Sequence, residues 1–209
     1  MLKKHFEHIF CINLARRKDR REEAEKEFEK YKITGVEFIE AVDGKTLDFE
    51  KTISKDGSEV SRGDWGCTLS HLSVVKIAKE RGLKNYFVFE DDAKMIEGFN
   101  DDLIESYMRY VPLDWSLLYF GGSHIGDLQK VNHRISKMTE TYTTHAIGVN
   151  SSMYDELINV WSNIEKVDLG ISSLHRKFNC YCTNQKLIYQ GDGFSDILEK
   201  QVSYEHLKK

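Results

Sequence analysis

The chain has 209 residues, 40% of them hydrophobic and one of them proline, which is enough to bury a sizeable core and most simply makes one domain over residues 1–209. Its 34 acids and 30 bases are mixed along the sequence and leave a formal charge of −4, which excludes the basic footprint of a nucleic-acid binder and the composition of a disordered chain. No apolar run approaches the roughly 18 residues of a membrane span, and "MLKKHFEHIFCIN" is too short and interrupted for a signal peptide, so the expectation is a soluble, cytoplasmic protein.

"HIFCINL", from His8 to Leu14, is an apolar run cut off by charge and predicts a buried first strand. "ARRKDRREEAEKEFEKYK", Ala15 to Lys32, consists almost wholly of helix formers with opposite charges four apart, as at Glu22 and Lys26, and predicts a solvent-facing helix. "GVEFIEAVDGK" supplies a second strand ending in the turn Asp43-Gly44. A polar, irregular connection to about Ser61 follows. From Gly66, "GCTLSHLSVVKIAKERG" carries Leu69, Leu72, Val75 and Ala78 three apart and ends in glycine, as a helix packed on a sheet would.

"NYFVFEDD" is a third strand, and strand-helix-strand-helix-strand is the order of an α/β fold with parallel pairing. "WSLLYFGG" and "TYTTHAIGVN" predict further strands, and "SSMYDELINVWSNI" an amphipathic helix begun by a serine cap. Residues from about 193 to 209 read as a C-terminal tail. Cys11 and Cys67 read as small core residues, and "CYC" at Cys180 and Cys182 is a weak metal signal without partner ligands in register.

Ligands of open parallel sheets bind beyond the carboxyl ends of the strands. The first strand delivers Asn13 and then Arg16, Arg17, Lys18, Arg20 and Arg21, the second Asp43, and the third Glu90, Asp91 and Asp92. Bases at a helix start oppose its macrodipole, so a bound anion would offset them, and the free N–H groups with arginine forks suit a diphosphate. A solvated basic face paired with acids of the same helix is the alternative. Alternation along a strand sends Glu90 and Asp92 to one face and Asp91 to the other. Two carboxylates in register repel unless a cation such as Mg²⁺ or Mn²⁺ lies between them, although an acidic triplet can also be a solvated loop start. His71 is either a satisfied histidine or a ligand contact. Gly121-Gly122 is either a tight turn or a place of close ligand approach, and Asp168 either an N-cap or a general base.

Taken together, "CINLARRKDRREEAEKEF", "FIEAVDGK", "GDWGCTLSHLSVVKIAKERGLKNYFVFEDDA", "DWSLLYFGG" and "QGDGFSDI" resemble glycosyltransferase family 25, which includes lipooligosaccharide galactosyltransferases and collagen galactosyltransferase-like proteins. "GCTLSHL" followed by "FEDDA" is the more specific part. The resemblance implies a GT-A type, Rossmann-like fold with a mixed, mainly parallel sheet flanked by helices. It also implies a UDP-sugar donor (UDP-galactose or UDP-glucose), a divalent metal, Mn²⁺ or Mg²⁺, and a glycan or hydroxylated peptide as acceptor. On that reading "EDD" corresponds to the DxD motif, with Asp92 a direct metal ligand, Glu90 a ligand or ribose contact, and Asp91 beside them. Asn13 and Arg16 fall in the nucleotide motif, Arg20 braces the diphosphate or the strand turn, and Asp43 lies near base or ribose. Ser70 and His71 line the donor pocket, and Asp168 is the base of an inverting transfer. Related collagen-modifying enzymes complete the metal shell with a late histidine in a glycine-rich turn. Here "YQGDGFSD" has Gln190 and Asp192, leaving Asp192 or water to do so. The rival classes are a catalytically weakened nucleotide- or glycan-binding relative and another Mg²⁺-dependent nucleotide enzyme.

Overall fold

In a computed structural model, which describes residues 1–49, 51–54 and 56–204, the chain is built on an eight-stranded sheet. The strands are β1 (His8–Asn13), β2 (Val36–Glu40), β3 (Asn85–Glu90), β4 (Leu117–Tyr119), β5 (Leu128–Lys130), β6 (Ile135–Met138), β7 (Ala146–Asn150) and β8 (Cys180–Thr183). Their order across the sheet is β2-β1-β3-β7-β4-β8-β6-β5. Strands β2, β1 and β3 pair in parallel, as do β4 and β8, while β7 and β6 run against their neighbours. The sheet is therefore mixed, with most strands sharing one direction, as expected.

The helices are α1 (Lys18–Lys30), α2 (Arg62–Glu80), α3 (Asp101–Met108), α4 (Tyr154–Trp161) and α5 (Val167–His175). Alternation in β1 and β3 sorts them into two layers. Phe10, Ile12, Tyr86 and Val88 pack with α2, α4 and α5 around Trp161, whereas Ile9, Cys11, Phe87 and Phe89 pack with α1 and α3 around Phe28 and Ile104. Both faces of the sheet are covered, so its central strands read as unbroken apolar runs.

Several boundaries differ from expectation. Helix α1 begins at Lys18 rather than Ala15, because Leu14 to Arg17 close a turn through Arg17 N–H to Leu14 O at 2.8 Å. Helix α2 begins at Arg62, four residues before Gly66, under a capping box in which the Ser61 hydroxyl accepts from Asp64 N–H and the Asp64 carboxylate from Ser61 N–H. The expected serine cap of the late helix is replaced by Asn150, whose side chain accepts from Ser152 N–H ahead of a 3₁₀ turn. The connection before Ser61 contains a hairpin, Lys51–Ile53 against Glu59–Ser61.

Part of the expected tail is also ordered. Strands β9 (Gly193–Ser195) and β10 (Lys200–Val202) form an antiparallel hairpin, and residues 205–209 lie outside the described ones. Among the described residues no helix is long and apolar enough to cross a membrane.

Candidate active site

A cavity of about 580 Å³ opens beyond the carboxyl ends of β1, β2 and β3, within the roughly 300–1,000 Å³ of small-molecule pockets. Asn13, Arg16, Arg20, Asp43, Ser70, His71, Glu90, Asp91 and Asp92, singled out from the sequence, all line it. Asp168 and Asp192 do not.

On its basic side, Asn13 is buried at the end of β1 and donates through Nδ2 to Asp91 at 2.7 Å and to Arg17 O at 3.2 Å, fixing the turn into α1. Arg16 donates to Asp43 at 2.6 Å and to Asp196 at 2.7 Å, and Arg17 also pairs with Asp196. Arg20 reaches Asp91 at 2.8 Å, Asp92 at 3.4 Å and Phe194 O at 3.0 Å. Every one of these arginines thus has a partner within the protein, and the hairpin β9–β10 with its connection supplies a partner to each.

On its acidic side, β3 ends at Glu90, so strand alternation does not carry through to Asp92. Glu90 faces α2, accepting from Thr144 Oγ1 at 2.7 Å and lying 3.0 Å from His71 Nε2; these partners outweigh burial and hold its carboxyl down at about 2. Asp91 faces α1, as expected, but Asp92 shares Arg20 with it instead of following Glu90 and also accepts from Gln190 Nε2 at 3.1 Å. Burial, and then the charge of Glu90, push Asp92 up to about 7. Among the described residues Asp92 Oδ1 is buried without a hydrogen-bond partner, which suits a cation beside it.

Ser70 and His71 are both committed within the fold. The Ser70 hydroxyl accepts from Val42 N–H at 2.9 Å and donates to Gly66 O at 2.7 Å, tying α2 to the turn after β2. That approach requires glycine, since a Cβ on Gly66 would lie 2.8 Å from Val42 O. His71 is 2% exposed and packs on Trp161. Asp43 caps the short turn Gly44–Thr46 through Lys45 N–H as well as holding Arg16.

Asp168 lies in the first turn of α5, where Lys166 occupies the cap position, so the N-cap expectation does not hold. Burial and the nearby charge of Glu90 raise its carboxyl to about 6, against a hydrogen bond from the Thr143 backbone, and among the described residues its Oδ1 is buried without a partner. Asp192 is exposed and accepts from Tyr204 N–H at 2.5 Å; as a late metal ligand it has no support from the cavity geometry. The acid of "QGDGFSD" that does reach the cavity is Asp196, and Gln190 reaches Asp92. The sequence carried that signal in the same motif, four residues further on. Gly121-Gly122 admits neighbouring chain rather than a ligand, since a Cβ on Gly121 would meet Ile188 O at 1.8 Å.

A family model described as glycosyltransferase family 25 (LPS biosynthesis protein) matches residues 6–165. A protein of Acanthamoeba polyphaga mimivirus whose name calls it a glycosyltransferase is 38% identical over 146 residues, covering 67% of this chain and 45% of that protein. Human procollagen galactosyltransferase 2 is 35% identical over 130 residues, covering 56% and 21%. Human inactive glycosyltransferase 25 family member 3 is 33% identical over 135 residues, covering 57% and 22%. The chain thus spans less than half the length of these curated relatives. Among solved structures, a UDP-glucose pyrophosphorylase from Acinetobacter baumanii aligns over 87% of this chain and 71% of its own at 10% identity, with a TM-score of 0.47.

Proposed function

The chain belongs to glycosyltransferase family 25, and from that premise we propose that it moves a hexose, galactose or glucose, from a UDP-sugar to a hydroxyl of a glycan or hydroxylated peptide, with inversion. The observation that supports this most is the cavity itself, in which the arginines at the start of α1 face the acids at the end of β3 across the carboxyl ends of parallel strands. Arg16 and Arg20, which line that cavity, would bind the diphosphate, and Asn13 and Asp43 border the same space. Asp92, with Glu90 beside it, would hold a divalent ion, Mn²⁺ or Mg²⁺, and the unpartnered Asp92 Oδ1 fits that role. When bound, such an ion offsets charge developing on the departing UDP. Asp168 stands outside the cavity lining; raised to about 6, it is ionised at neutral pH yet more basic than an ordinary carboxylate, and would take the proton of an acceptor hydroxyl that reaches it.

The test is hydrolysis of UDP-galactose and UDP-glucose by the purified protein with and without Mn²⁺, alongside calorimetric titration of UDP. Turnover that needs Mn²⁺, disappears in Asp92→Ala and falls in Asp168→Asn with UDP affinity intact is the expected result. A folded protein that binds no UDP with Mn²⁺ present would sink the proposal.

The weakened-relative reading has an observation of its own. Asp196 occupies Arg16 and Arg17, and relatives of comparable identity include ones named inactive. UDP binding with no turnover on either sugar would favour it.

A further inference from the structure

In the wall of the cavity, on the α2 face of the sheet, lies a second group of metal-ligating side chains. Cys67 and His71 are one turn apart on α2, and Glu90 ends the adjoining strand β3. A ligand atom of each lies within 4.8 Å of the other two, and His71 Nε2 is 3.0 Å from Glu90 Oε1. Two ligands about 2.0–2.3 Å from a shared ion stand roughly 3.5 Å apart, so rotation of the side chains closes the set. All three residues line the cavity, which leaves a fourth position open to whatever the cavity holds.

Three further observations bear on the group. Among the described residues the Cys67 side chain makes no hydrogen bond, and it packs at the edge of the core on the α2 side of the sheet. Burial, and then the charges of Glu90, Asp168, Asp64 and Asp92, push its thiol well up, so the sulfur would give up its proton only to a bound cation. The His71 ring is held in place by Trp161, at 5.7 Å between centroids, and the Glu90 carboxylate by Thr144 Oγ1 at 2.7 Å, so two ligands are oriented by neighbours outside the group.

We propose that Cys67, His71 and Glu90 form a site for a borderline transition-metal ion of the zinc or cobalt class, with an open fourth position facing the cavity. The donor set decides the class. One sulfur, one imidazole nitrogen and one carboxylate favour Zn²⁺ or Co²⁺, whereas Mg²⁺ prefers oxygen alone. The site shares Glu90 with the proposed donor-ion site, whose other ligand, Asp92, lies on the Arg20 side.

The experiment uses the metals themselves as probes. Protein stripped with chelator is titrated with Co²⁺ while the near-ultraviolet and visible spectra are recorded, first alone and then in a large excess of Mg²⁺. The expected result is one Co²⁺ per chain with a thiolate-to-cobalt charge-transfer band, undiminished by Mg²⁺ and abolished by Zn²⁺. Cys67→Ser removes the band and weakens Co²⁺ binding at least about tenfold. His71→Gln does the same and guards against a folding artefact in either variant, while Asp92→Asn keeps the band. Absence of Co²⁺ binding, or Co²⁺ binding without the band, overturns the proposal, as does unchanged affinity in Cys67→Ser. None of these outcomes depends on UDP, so failure here is separable from failure of the glycosyltransferase reading.

Discussion

Arg20 is the residue on which the charge balance of the site turns. Its side chain is 16% exposed and is held by Asp91 and Asp92, themselves 9% and 12% exposed. Arg20→Met keeps most of the volume and removes the charge, leaving two buried carboxylates beside Glu90. Breaking a buried pair by removing one partner costs about 3–5 kcal/mol. Asp92 already sits at about 7 and can shed its charge by taking a proton, which places the expected cost near pH 7 at the lower end, about 3 kcal/mol. The sign of the pH dependence follows. Without Arg20 both folded-state carboxyls rise further above their unfolded values, so the folded variant binds more protons and gains stability as pH falls. Urea unfolding of wild type and variant at pH 8 and pH 5 should show a penalty of about 3 kcal/mol shrinking to about 1 kcal/mol. Adding Asp92→Asn to Arg20→Met should recover much of the loss at pH 8. A penalty below about 1 kcal/mol at pH 8, or one equal at the two pH values, would refute the reasoning.

Asp196→Asn should tighten UDP binding by roughly fivefold, about 1 kcal/mol, because it releases Arg16 and Arg17 from an internal carboxylate, and calorimetric titration decides; weaker binding would mean that Asp196 serves the donor. Gly121→Ala should lower stability by about 3 kcal/mol, read as a fall in thermal midpoint, since the new Cβ meets backbone at Ile188 O, which cannot rotate away. His175 accepts from Thr141 N–H at Nδ1, and burial lowers it to about 4. The unfolded chain therefore takes up that proton first, and stability present above about pH 6.5 should be lost toward pH 4, by up to about 3 kcal/mol. His175→Gln should flatten that part of the stability profile.

What the sequence disclosed follows from how local each signal is. β1 and β3 were legible because both faces are buried and their residues run apolar without a break, and the three polar strand ends did converge on one cavity. The short strands β5, β6 and β8 carry no such run; "CYCT" is four buried residues whose identity as a strand comes from β4 and β6 on either side. The capping box at Ser61 and Asp64 was present in the sequence but lies ahead of the apolar stripe that marked the helix.

Partnership was the part that could not be read. Bases loaded at the start of α1, against its dipole, call for an anion such as a diphosphate. The anion the fold places there is Asp196, brought from 179 residues beyond Arg17 by a hairpin that had the look of a tail. Its carboxylate meets Arg16 and Arg17, while the Phe194 carbonyl meets Arg20. A charge pattern fixes the sign of what must bind but not whether it comes from solution or from the chain. A donor diphosphate at these arginines must therefore displace, or add to, contacts the protein already makes, so its affinity reports the difference between the two anions rather than the attraction of bare arginines.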